Sequence, residues 1–129
     1  MEITGLTIGD KLLLNGHHHT IQGLQMKDGN WLFFSKELQI WCSVMDAFPI
    51  FITQTFLAKN FDEKNGGFKY GIFEDYFDLS IEEYNDGTYS IEYHITEMSL
   101  PDTVISNVCY VHELQHALNL FGLSKELEL

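Results

Sequence analysis

Two arms of alternating apolar and polar residues flank an Asn-Asp-Gly turn at residues 85–87, and this pattern constrains the fold more than any other. The apolar positions are Phe77, Leu79 and Ile81 in the first arm and Tyr89, Ile91, Tyr93 and Ile95 in the second. Because side chains along a strand point alternately to opposite faces, the pattern predicts an antiparallel hairpin with one solvated face. The apolar face must then be covered by another element.

An amphipathic helix predicted over residues 107–122 is the best candidate for that cover. Val108, Val111, Leu114, Leu118 and Phe121 recur at spacings of three and four, which is typical of one helical stripe. Ser106 or Asn107 is suited to cap its start, and Gly122 is suited to end it in a left-handed conformation. We therefore expect the stripe to pack on the hairpin.

The remaining segments complete an α+β fold. Residues 3–42 contain short apolar segments with hairpin turns at Asn15-Gly16 and Asp28-Gly29, a pattern typical of a small meander or SH3-like barrel, and we expect the SH3-like module. Thr53 is predicted to cap a short helix over residues 54–59. Strands over residues 68–73 and 103–105, and a last edge strand at Leu127 and Leu129, are predicted to extend the sheet. We predict one domain, residues 1–129, with a β module in 1–48 and the sheet with its helices in 49–129.

The predicted C-terminal helix carries a string typical of zinc chemistry, His112-Glu113-Leu114-Gln115-His116. In zinc hydrolases the two histidines bind the metal and the glutamate polarises its water. The usual downstream extension is missing, because Asn119 and Gly122 stand where Gly and His are needed. At about 100° per residue, both histidines point away from the apolar stripe, so we expect them to face solvent or a partner.

Other candidate sites are weaker. His17, His18 and His19 are adjacent, but a strand would point neighbours to opposite faces, so only a loop would let them converge on a metal. Trp31 and the Phe33-Phe34 pair are candidates for an aromatic platform, although a core role is more common. The acidic residues of the predicted hairpin fall on its solvated face. Since the chain has no calcium loop, phosphate loop or G-x-S-x-G motif, we predict no cofactor.

The charge balance excludes several classes of partner. Nineteen Asp and Glu against seven Lys and Arg give a net charge of −12, which leaves no basic surface for nucleic acid or anionic membranes. An acidic surface suits a basic protein, or imitates a nucleic acid. Cys42 and Cys109 are too few for a disulfide framework, and the N-terminal sequence is not that of a signal peptide. We therefore expect a cytoplasmic protein with reduced thiols.

Several segments carry a family resemblance. They are Leu6-x-Ile8-Gly9-Asp10, Pro49-Ile50-x-Ile52-Thr53-x-x-x-Leu57, residues 71–93, and Tyr110-Val111-His112-x-Leu114-Gln115. Together they resemble a family of small uncharacterised proteins from gut anaerobes and their phages and mobile elements. The resemblance implies no activity. It also implies that Glu113 and His116 are not central to the family, whose members tend to have Gln and Asn there.

These observations predict a non-catalytic, phage- or mobile-element-related accessory protein that binds another protein. One alternative is a zinc-dependent hydrolase that uses His112, Glu113 and His116. Another is an acidic mimic of nucleic acid, which requires acidic groups spaced like phosphates on one face. Self-association through a sheet edge or the helix is compatible with the main prediction.

Overall fold

The computed structural model describes residues 5–64, 69–96, 101–123 and 125–129. Within these residues the chain forms two five-stranded antiparallel sheets and two short α-helices, so the α+β prediction is confirmed. The chain divides into two compact units. The first comprises Met1–Phe51 and Tyr110–Glu113, and the second comprises Ile52–Cys109 and Leu114–Leu129.

The first unit contains a sheet with the strand order β4-β3-β2-β1-β5. Its strands are β1 (Lys11–Leu14), β2 (His17–Lys27), β3 (Asn30–Ser35), β4 (Trp41–Ser43) and β5 (Phe48–Pro49), with a 3-10 helix over Val44–Asp46. Both predicted hairpin turns form. Asn15-Gly16 and Asp28-Gly29 have positive φ at each residue, as a tight two-residue turn between twisted strands requires.

One side of this sheet builds a small core. Its buried cluster consists of Leu12, Ile21, Phe33, Cys42, Val44 and Ala47. Burial raises the pKa of the Cys42 thiol, and neither Cys42 nor Cys109 forms a disulfide bond. β4 starts only at Trp41 because residues 36–39 form a turn, in which Gln39 has a φ of 58° and its N–H donates to the Ser35 carbonyl.

The second unit contains a sheet with the strand order β10-β9-β8-β7-β6. The elements are α1 (Gln54–Asn60), β6 (Asp62–Lys64), β7 (Lys69–Phe73), β8 (Phe77–Glu83), β9 (Tyr89–Ile95), β10 (Thr103–Val108) and α2 (Val111–Leu120). The predicted hairpin is β8 with β9, and its apolar positions from Phe77 to Ile91 are buried. The predicted strand at 68–73 is also present, although Phe68 lies outside the described residues.

Gly71, in the middle of β7, allows an unusually close approach to β8. It pairs with Ser80, and a Cβ atom added to it would overlap the carbonyl oxygen of Leu79. No side chain fits there, so glycine is required because of the lack of space and not because of a turn.

The C-terminal helix starts later than predicted. Val108 belongs to β10, and Asn107, the expected cap, has a φ of 60° inside the strand. The helix end agrees with the prediction, since Gly122 has a φ of 75°. The ring of Phe121 stacks on that of Tyr93 at 4.6 Å and 11°, which places the end of α2 against the apolar face of the sheet.

The last residues do not form the predicted edge strand. Leu127 is buried, and the chain around it is held by the side chain of Asn60 at the end of α1. The amide of Asn60 donates to the carbonyl of Glu128 at 2.7 Å and its oxygen accepts from the Glu128 N–H at 2.7 Å. α1 itself begins as predicted, because the Thr53 hydroxyl accepts from the Phe56 N–H.

Candidate functional site

The first turn of α2 buries one histidine of the zinc-like string. The side chain of His112 is only 3% exposed, and its ring stacks on Tyr110 at 5.7 Å and 7°. The prediction that both histidines face outward is therefore wrong for His112. The helix begins at Val111, so Val108 does not contribute to the stripe, and the first turn belongs to the first unit. His116, one turn later, is half-buried.

The glutamate of the string has a structural partner. The Oε1 atom of Glu113 accepts a hydrogen bond from the backbone N–H of Tyr110 at 3.0 Å. A glutamate at this position commonly reaches back to the residue before the helix, where its charge is also favourable to the helix dipole. Across residues 5–64, 69–96, 101–123 and 125–129, no three His, Cys, Asp or Glu side chains are grouped so as to hold a metal ion.

The three adjacent histidines are separated by β2, as expected for a strand. His17 and His18 are exposed, whereas His19 is buried. The Nδ1 atom of His19 lies 2.8 Å from the Ser35 hydroxyl, and its ring meets the edge of Phe33. His19 is therefore a core histidine with a hydrogen-bond partner, and the loop that would bring the three rings together does not form.

The solvated face of the second sheet carries a small network of charged groups. The Nδ1 atom of His94 lies 2.5 Å from a carboxylate oxygen of Asp102, the residue before β10. Hydrogen bonding to Asp102 raises the pKa of Glu92, and the bonds from Glu92 and His94 lower the pKa of Asp102. The bond between His94 and Asp102 joins the start of β10 to β9.

An aromatic pair lies on the outer face of the first sheet. The rings of Phe34 and Trp41 meet edge to face at 5.3 Å and 68°, and Trp41 is 44% exposed. Phe34 pairs with Gly23 on one side and with Trp41 on the other, and the Trp41 ring extends across Gly23. Because Phe33 points to the core, Phe34 points away from it.

The predicted aromatic platform is therefore only partly formed. Phe33 is fully buried, and Trp31 lies at the tip of the β2–β3 hairpin opposite Met26. The partner of Phe34 is Trp41, which sequence reasoning missed. Two features of the sequence indicate the position of Phe34. Alternation in β3 indicates that its side chain points outward, and a glycine in the facing strand leaves open space beside it. Pairing with Trp41 depends on the register of β4, which the local sequence does not reveal.

The negative charge is distributed unevenly along the chain. Residues 1–51 contain five acidic residues and three lysines, whereas residues 52–129 contain fourteen acidic residues and four lysines. The aromatic pair consequently lies in a nearly neutral part of the chain. Most of the negative charge belongs to the part of the chain that contains the second sheet.

Comparison with known proteins gives no further guidance. A scan of protein-family models, a search of curated proteins and a search of solved structures each found no match. Neither helix in the described part of the chain has the length and apolar character needed to cross a membrane. Function is therefore inferred from the arrangement of the side chains.

Proposed function

We propose that this is a non-catalytic accessory protein of phage or mobile-element type, located in the cytoplasm, that binds another protein. The observation that carries the proposal is the Phe34–Trp41 pair on the outer face of the first sheet. The core of this unit is filled by other side chains, so the pair is not needed to complete it. Trp41 is exposed and Phe34 is half-buried, and a surface tryptophan next to another aromatic ring is typical of interaction surfaces, where Trp often contributes most of the binding energy.

The class of ligand follows from the fold we propose for this unit. β5 returns to pair with β1, and a 3-10 helix lies between β4 and β5. This arrangement supports an SH3-like barrel. By analogy of fold, barrels of that kind bind extended proline-rich segments on exposed aromatic rings. We therefore expect an extended, apolar segment of the partner to lie across Trp41 and Phe34.

The geometry of α2 supports a non-catalytic role. In the hydrolase alternative Glu113 would have to point its carboxylate at a metal-bound water. Instead one of its oxygens accepts the Tyr110 N–H, and the neighbouring His112 ring is stacked and buried. The family resemblance, in which Glu113 and His116 are not central, agrees with this interpretation.

A displayed library of random peptides tests the proposal directly. Peptides selected on the wild-type protein are expected to be rich in apolar and proline residues. The Trp41→Ala variant should bind them at least ten-fold more weakly, because truncation of a central tryptophan costs about 2 kcal/mol or more.

Trp31→Ala is the matched control, since it removes another half-exposed tryptophan from the same sheet. It should leave the selected peptides bound with nearly wild-type affinity. The far-ultraviolet circular dichroism and the melting temperature of both variants show whether the fold is retained. Equal binding by the wild-type protein and a folded Trp41→Ala variant would contradict the proposal.

A further inference from the structure

The sheet edges within the described residues are not equally protected against pairing with another strand. In the first sheet, β4 has three residues, and β5 has two and contains Pro49. In the second sheet, β6 has three residues, Asp62, Glu63 and Lys64, all of them charged. Short length, charge and proline are the usual means by which proteins block edge-to-edge association.

The fourth edge, β10, has neither charge nor proline, and its irregularity is confined to the second half, between Ile105 and Val108. It has six residues, Thr103–Val108, and none of them is charged. β9 pairs with it on one side, and no strand of the described chain pairs with it on the other. Neighbouring side chains Thr103 and Val104 are both exposed, although they point to opposite faces of the sheet. Both faces of this edge are therefore accessible.

The first half of β10 is also regularly paired with β9. Thr103, Val104 and Ile105 pair in regular register with Tyr93, Glu92 and Ile91, and the irregularity lies further along, before Val108. The hydrogen bond from His94 to Asp102 fixes the strand at its beginning. An incoming strand would thus meet an edge that is already ordered, which lowers the entropic cost of binding.

The negative charge of the residues around β10 favours a positively charged partner. Val104 lies directly opposite Glu92, and Asp102 precedes the strand. The part of the chain that forms the second sheet carries fourteen acidic residues against four lysines. A second copy of this chain would bring the same negative charge to the edge, whereas a basic segment would be attracted to it.

We propose that β10 accepts an extended, basic segment of a partner protein as a sixth strand of the second sheet. Backbone hydrogen bonds would supply affinity, and lysine or arginine side chains beside Glu92 and Asp102 would supply specificity. This site uses residues of the second unit and is independent of the Phe34–Trp41 pair. Trp41→Ala should therefore leave it unchanged.

Synthetic peptides of about ten residues test this inference, a length that matches a long natural strand. The probe has alternating Thr and Val in its centre and two Lys at each end, and the comparison peptide has Glu in place of Lys. Amide chemical shifts and hydrogen exchange are followed by nuclear magnetic resonance. The Lys peptide should bind at least ten-fold more tightly than the Glu peptide, and should protect amides of β10 that point away from β9.

Variants of β10 separate strand addition from general attraction of charge. Val104→Lys places a positive charge on the half-exposed edge and should weaken binding of the Lys peptide at least ten-fold. Val104→Thr keeps a branched, neutral side chain and should bind like the wild type. Asn85→Lys adds the same charge at the turn between β8 and β9, away from the edge, and should have a small effect.

Three results would overturn the proposal. The first is equal binding of the Lys and Glu peptides. The second is a Val104→Lys variant that binds as well as Asn85→Lys. The third is a concentration-dependent dimer, seen by sedimentation, in which β10 is protected without any peptide; a second copy of the chain would then be the occupant.

Discussion

The carboxylate of Glu113 accepts the backbone N–H of Tyr110 at 3.0 Å, and this bond closes the first turn of the C-terminal helix. Glu113→Ala should therefore lower the free energy of unfolding by about 1 kcal/mol, the usual contribution of such a cap. Glu113→Gln keeps an acceptor at the same position and should lose less than half of that. Urea unfolding of the two variants checks the prediction, and equal losses would show that the hydrogen bond is not what stabilises the helix.

Gly71 should be far less tolerant of substitution than Gly23, although both lie within strands. In Gly71→Ala the new methyl group would meet the Leu79 carbonyl, so β8 must shift, and we expect a loss of about 2–3 kcal/mol. In Gly23→Ala the new methyl group would lie 3.4 Å from the Trp41 ring, an ordinary contact. That variant should stay within about 0.5 kcal/mol of the wild type. Melting temperatures measured side by side decide between these outcomes.

Glu92 should make stability depend on pH in a defined direction. Its pKa in the folded protein is raised by hydrogen bonding to Asp102, so its stabilising contribution is present at low pH and lost as pH rises through that pKa. Glu92→Gln keeps a donor and removes the charge at every pH. At pH 7 we expect the variant to be more stable by about 0.5 kcal/mol, as for relief of a like-charge pair across strands.

The same comparison at low pH provides the control. Below about pH 4, where an ordinary glutamate is largely protonated, the wild type and Glu92→Gln should unfold at nearly the same urea concentration. A stability difference that does not change with pH would mean that Glu92 affects stability through the size and contacts of its side chain and not through its protonation.

Asn60 should be essential for holding the C-terminal residues. It is buried, and its side chain bonds to the carbonyl of Phe56 and to both backbone groups of Glu128. Asn60→Ala leaves these groups without that partner and should cost about 2–3 kcal/mol. Carboxypeptidase should also remove the last residues much faster. Lys59→Ala, which removes only an exposed bond to the Leu129 carbonyl, should change the digestion rate little.

The β8–β9 hairpin and the strands next to it could be predicted because the sequence patterns that indicate them lie within short segments of the chain. Alternation from Phe77 to Ile91 and the turn after Tyr84 are properties of adjacent residues. The structure buries these apolar positions and forms the turn, although Ser80 and Ser90 are buried as well and Ile95 is exposed. The start of α2 could not be predicted in the same way. Val108 fits a helical stripe and a strand equally well, and pairing of Thr103–Val108 with β9 decides between them. That pairing depends on residues distant in sequence.

The candidate site likewise combines features that are local in the sequence with features that depend on distant residues. The aromatic character of Phe34 and Trp41 is visible in the sequence, but their contact requires the turn at Gln39 and the start of β4 at Trp41. The burial of His112 and the stacking of its ring on Tyr110 depend on where the helix begins, which periodicity does not describe. The net charge and its uneven distribution along the chain, by contrast, follow directly from counting the charged residues.

The close approach of two neighbouring strands at Gly71 has a consequence for ancestry. Mutation and drift can replace most solvent-facing side chains of this sheet at little cost, but they cannot add even a methyl group at this position without rebuilding the adjacent strand. Descendants of the same ancestor should therefore retain glycine there long after the rest of the sequence has diverged. A glycine at the centre of a five-residue strand, followed by an alternating hairpin, is the pattern by which remote kin could be found.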